Sequence, residues 1–131
     1  MAKVKLGSNA IFTGPQKGLT IIGDHCYAYS GVVTLTSSFA DYLNFTTGKE
    51  TIVCDIQIIG DWDSLGGNNI ETTASLNGSV VIQDDSSAEL APYVWPCPLI
   101  IPPNSHVKIE GKVQSGDIEF TCVITGRVYK E

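Results

Sequence analysis

TIVCDIQII, residues 51–59, is the stretch on which the reading of this chain turns. Ile52, Cys54, Ile56 and Ile58 fall on alternate positions, with Val53, Asp55 and Gln57 between them. That period of two belongs to an extended strand with one buried face, and β-branched residues suit the pleated surface. DIEFTCVITG (117–126) repeats the pattern through Ile118, Phe120, Cys122 and Ile124. HVKIEGKVQ (106–114) turns Val107, Ile109 and Val113 inward and Lys108, Glu110 and Lys112 outward. Ser115-Gly116-Asp117 separates the last two segments, and the reading is a hairpin.

Turn signals divide the rest. Asn77-Gly78 lies between IETTASL and SVVIQDD and predicts a two-residue type I′ hairpin, which needs positive φ at both central residues. HCYAYSGVVTL (25–35) is a β-prone run in which Gly31 marks a bulge or bend. FADYLNFTTG (39–48) leaves two readings open: a single helical turn using Phe39, Tyr42 and Leu43, or a strand begun by Leu43 and Phe45. GDWDSLGGNN reads as a loop and DSSAELAPYVWPCP as a long connection. No helix of three turns is predicted. About eight strands with one apolar face each imply an all-β, single-domain, two-sheet β-sandwich with jelly-roll-like connections over 19–131. Residues 1–18, with Gly7, Gly14, Pro15 and Gly18, read as an extended N-terminal arm.

A chain of 131 residues can bury about two-thirds of its unfolded surface as one domain. Its 8 Lys and Arg against 14 Asp and Glu give a net charge of −6, which repels a phosphate backbone and argues against nucleic acid. MAKVKLGSNA lacks the apolar run of a signal peptide, and no window approaches a membrane span, so synthesis in a cytoplasm and no membrane partner are expected. Asn44-Phe45-Thr46 and Asn77-Gly78-Ser79 match the glycan acceptor pattern only by chance on that reading.

No catalytic grouping emerges, and neither a cofactor nor a metal is expected. Cys26, Cys54, Cys97 and Cys122 form no C-x-x-C pair and have no metal-ligand spacing to His25 or His106. Core thiols are the first reading and a disulfide the second. Both histidines alternate outward. Asp61-x-Asp63 with Gly66 imitates the start of a calcium loop, but Leu65 and Thr72 stand where ligands belong, so a solvated acidic loop is preferred. Asp84-Asp85 reads as a turn. Trp62, Tyr93 and Trp95 raise a sugar-stacking platform against the plainer reading of end caps for the sandwich.

WPCPLIIPPN (95–104) surrounds Leu99-Ile100-Ile101 with four prolines, which cannot donate to a ladder. It is read as an edge strand, or a short strand crossing between sheets. Tyr93, Trp95, Leu99 and Ile101 are then candidates for a subunit contact, since aromatic anchors dominate such surfaces.

MAKVKLGSNA, LNFTTGKE, LIIPPNSHVKI and CVITGRVYKE together resemble small β-sandwich structural proteins of tailed bacteriophages, especially marine ones. The resemblance implies a non-enzymatic virion protein that decorates or cements the capsid surface, with the major capsid protein or other virion subunits as partners. It also implies a homo-oligomer, with a trimer favoured. Contact would run through the arm, with Lys3, Lys5, Phe12 and Pro15, and through the proline-rich segment. The rivals are a receptor- or carbohydrate-binding module of a fibre, a major capsid protein that builds the shell itself, and an enzyme on a sandwich scaffold.

Overall fold

The computed structural model describes residues 18–65, 67–87 and 94–130, so nearly all of the expected arm lies outside the described residues. Ten strands run through them: β1 (Thr20–Ile22), β2 (His25–Tyr29), β3 (Val33–Leu35), β4 (Ala40–Thr46), β5 (Thr51–Gly60), β6 (Ile70–Leu76), β7 (Ser79–Ser86), β8 (Cys97–Ile101), β9 (His106–Val113) and β10 (Ile118–Tyr129). A 3-10 turn, Trp62–Leu65, follows β5. The protein is all-β, with two antiparallel sheets. One has the order β4-β9-β6-β7. The other runs β1-β2-β10-β5-β8, with β3 also on β10.

The count exceeds eight partly because Gly31 splits one run in two. With φ at 72° it turns the chain out between β2 and β3, and both pieces pair with β10. Ser30 bridges the break. Its amide donates to the Cys122 carbonyl, its hydroxyl accepts from the Cys122 amide, each at 2.9 Å, and that hydroxyl donates to the Gly31 carbonyl. A buried serine thus satisfies the ladder where backbone alone does not.

FADYLNFTTG resolves as strand, and β4 explains why its pattern misled. Asp41 pairs with Glu110 and Leu43 with Ile109, leaving Tyr42 as the extra residue of a bulge. Tyr42 and Leu43 therefore both point inward, and each is fully buried. The Asn77-Gly78 turn forms as read, with φ at 53° and 87°.

The hairpin expected between β9 and β10 does not form. β9 lies between β4 and β6, whereas β10 lies between β2 and β5 in the other sheet. Both strands have one apolar face, and each finds two same-sheet neighbours only by separating from the other. Their inward residues meet across the core instead: Val107, Ile109 and Val113 from one sheet, Phe120, Cys122 and Ile124 from the other. Ile52, Cys54, Ile56 and Ile58 line the same interior.

Candidate interaction faces

Burial of the two inner faces leaves two outer faces, and they differ in chemistry. Over β4-β9-β6 the charged outward residues are mutually paired, while the edge strand β7 of the same sheet exposes Val80 and Val81. Lys108 lies 3.9 Å from Asp41 and 3.6 Å from Glu110, Lys112 lies 3.8 Å from Glu71, and His106 Nε2 meets Asn44 Oδ1 at 2.6 Å. Alternating charge of this kind is a solvated face.

The outer face of β1-β2-β10-β5-β8 is greasier. Pairing register aligns one row as Ile22, His25, Arg127, Val53 and Ile100, and the next as Thr20, Tyr27, Thr125, Asp55 and Pro98. A third holds Tyr29, Val123 and Gln57. Ile22 and Ile100 are each 63% exposed, and Tyr29, Val53, Ile59 and Tyr129 are exposed as well. Tyr27 and Tyr29 stand with ring centroids 4.7 Å apart. Arg127 is held by Asp24 at 2.7 Å, and His25 lies 3.3 Å from that carboxylate. A face rich in tyrosine, aliphatics and one arginine has the composition of a contact surface.

The proline-rich segment takes the first of its two readings, an edge strand, and not that of a strand crossing between sheets. β8 is indeed the edge strand beside β5, with Pro98 opposite Asp55. Its candidate anchors require correction. Trp95, Leu99 and Ile101 are only 5%, 9% and 0% exposed and belong to the chain's own core. Alternation decides this: Cys54 and Ile52, opposite Leu99 and Ile101, face inward and bring their partners with them. The outward residues of β8 are Pro98 and Ile100. Lys3, Lys5, Phe12, Pro15 and Tyr93 lie outside the described residues.

Pro102–Ser105 then carries the chain from β8 to β9 and is pinned to the loop after β4. Thr47 donates its amide to the Ser105 carbonyl at 2.8 Å and accepts the Ser105 amide on its hydroxyl at 3.0 Å. The Asn104 amide donates to Gly48 at 2.7 Å. The prolines thus frame a short edge strand and a braced crossing between sheets.

The remaining motifs disperse. Trp62 is half-buried, edge-on to Phe120 at 4.8 Å, and Trp95 is interior, so these two do not form the sugar platform. Asp84 and Asp85 sit inside β7, not in a turn, because Asn77-Gly78 starts a strand long enough to include them. The Ser86 hydroxyl bonds the Asp84 carboxylate. Asp61 is exposed and borders an open cleft of about 480 Å³ with Asp117 and Glu119. Among the described residues no group of three or more His, Cys, Asp or Glu side chains is arranged to hold a metal. His25 and His106 are exposed, as their alternation predicts.

All four thiols are free, and Cys26, Cys54 and Cys122 are buried. Cys26 and Cys54 occupy one cross-strand row with Gly126 between them. Two strand spacings, about 9.6 Å, exceed the reach of a disulfide. Burial pushes the Cys26 thiol up to about 11. Burial, then the neighbouring Cys26 and Asp55, takes Cys54 up to about 12. These are inert core groups, as the first sequence reading had them.

No family model matches the chain, and no curated protein or solved structure shows significant similarity to it.

Proposed function

We propose that this chain is a non-enzymatic structural protein of a virion, decorating or cementing a tailed-phage capsid through protein–protein contacts. The contrast between the outer faces carries the reading: one is laced with ion pairs over three of its four strands, the other offers Ile22, Tyr29, Val53, Ile100 and Tyr129 to a partner. Strand order supports the same reading. Taking β2 and β3 as one position, and setting β1 aside, leaves eight strand positions. Ordered as β2-β10-β5-β8 and β4-β9-β6-β7, they follow the pattern of a jelly roll, an architecture common in viral coats. Co-sedimentation with purified capsids tests the proposal. The chain should pellet with the particles, and the double variant Val53→Glu, Ile100→Glu should stay in the supernatant. Equal pelleting of both would refute it.

The alternative, a receptor- or carbohydrate-binding module of a fibre, draws on the Tyr27–Tyr29 pair, whose tilted rings present a stacking surface. It requires tyrosine fluorescence to change when polysaccharide is added, and Tyr29→Ala to abolish the change.

A further inference from the structure

We infer that Lys3-Val4-Lys5-Leu6 adds to the free edge of β7 in the same chain, as a further antiparallel strand of that sheet. The inference does not rest on the capsid reading, which uses the other sheet.

β7 pairs with β6 on one side and with no strand on the other among the described residues. Unpaired edges recruit extended chain, and proteins block them with proline, lysine or short length. β8 has Pro98 and β1 has only 3 residues, whereas β7 offers 8 with neither proline nor lysine. Val81 is the extra residue of a bulge, beyond which Ile82–Ser86 keep regular pairing with β6. Val80 and Val81 are exposed, and Ile82 is only partly covered by the core. On the outer side Asp85 stands directly opposite Glu71. Lys112 lies 3.8 Å from Glu71, but no cation among the described residues pairs with Asp85. At β4, the other edge of this sheet, Asp41 already has Lys108 at 3.9 Å.

Residues 1–17 lie outside the described residues, and their sequence fits this edge. Lys3, Lys5 and Lys17 are their only charged side chains; they bring +3 to a net −6, so residues 18–131 carry −9. Lys3-Val4-Lys5-Leu6 alternates basic and aliphatic residues at the period of a strand. With Lys3 opposite Asp85, Val4 meets Asp84, Lys5 meets Gln83 and Leu6 meets Ile82. Both lysines then join the exposed outer row of Gln83 and Asp85, and Leu6 extends the core beside Ile82. Moving the register by two, to put Lys5 opposite Asp85, takes Leu6 away from Ile82. Length permits the pairing. The Cys97 thiol of β8 is pushed up by burial and then by Asp84, which sets β7 over β8. β1 is four strand spacings from β8, and the sheets are about 10 Å apart, so β7 lies roughly 22 Å from β1. The ten steps from Ser8 to Gly18 span up to about 33 Å. A tether of that reach gives the segment a high effective concentration at its own edge.

Hydrogen exchange of the full chain tests this. Amides of residues 3–6 should exchange at least tenfold more slowly than in the free peptide MAKVKLGS. Lys3→Glu, Lys5→Glu should return them to the rate of the peptide and speed exchange in Gln83–Ser86. Adding Asp84→Lys, Asp85→Lys to that variant should restore the protection. Lys49→Glu, Lys130→Glu makes the same change of net charge at exposed positions elsewhere and should leave both segments protected. Light scattering should return the 14.0 kDa of one chain for the parent and for Lys3→Glu, Lys5→Glu alike. Residues 3–6 exchanging like the free peptide in the parent, or reversed charges that fail to restore protection, would overturn the inference. A larger parent that falls to one chain in Lys3→Glu, Lys5→Glu would overturn it too, because the strand would then come from a neighbouring copy.

Discussion

Gly111 of β9 lies beneath the ring of Tyr42, the bulged residue of the neighbouring strand. A methyl group added at Gly111 would sit 2.9 Å from Tyr42 Cε2. The bulge turns Tyr42 into the core, and the missing Cβ leaves room for its ring. Gly111→Ala should therefore destabilise the fold by about 1–3 kcal/mol, the usual cost of overpacking. Gly126→Ala should cost more. Its methyl would meet the Val53 carbonyl oxygen and lie 2.6 Å from Cys54 Cα, and backbone yields less readily than a ring edge. Urea denaturation of the two variants checks the order, and a more stable Gly126→Ala would contradict it.

Ser30→Ala tests the bridge at the β2–β3 break. The Cys122 amide loses its acceptor in a fully buried position, a loss of about 1–3 kcal/mol. Hydrogen exchange at Cys122 should accelerate beyond what the global loss explains. Protection equal to that of the parent would mean that another group takes the proton.

Trp95→Ala should act on folding before it acts on assembly. The indole is interior, and truncating a buried aromatic costs about 3–5 kcal/mol. Trp62→Ala should cost less, because that ring is half-exposed and packs through one edge on Phe120. Thermal unfolding that leaves Trp95→Ala as stable as Trp62→Ala would contradict the placement.

The thiols set a pH dependence with a defined sign. Unfolded cysteines ionise near 9.0, whereas folded Cys26 waits until about 11 and Cys54 until about 12. Between those values the unfolded state binds fewer protons than the folded state, so stability falls as pH rises. It is fully present below about pH 9 and is lost progressively through about pH 12. Cys26→Ala should flatten the lower part of that slope. In the native chain a thiol reagent should reach half-buried Cys97 first, and all four thiols only after unfolding. Rapid native labelling of Cys122 would show the core to be open.

What the chain determines by itself is which side of each strand is buried. Ile52, Ile56, Val107, Ile109, Phe120 and Ile124 are legible as core because a period of two in hydrophobicity has one physical cause, and Asn77-Gly78 is legible because few residues tolerate positive φ. Which strands become neighbours is another matter. The inward rows of β9 and β10 are equally apolar whether the strands pair as a hairpin or face one another across the core, and only competition among all the strands for partners decides between these. The same competition decided the fate of the proline-rich segment. Composition marked Trp95, Leu99 and Ile101 as sticky. Register against β5 then turned them into the chain's own interior and left Ile100, beside Val53 in the row that contains Arg127, on the surface.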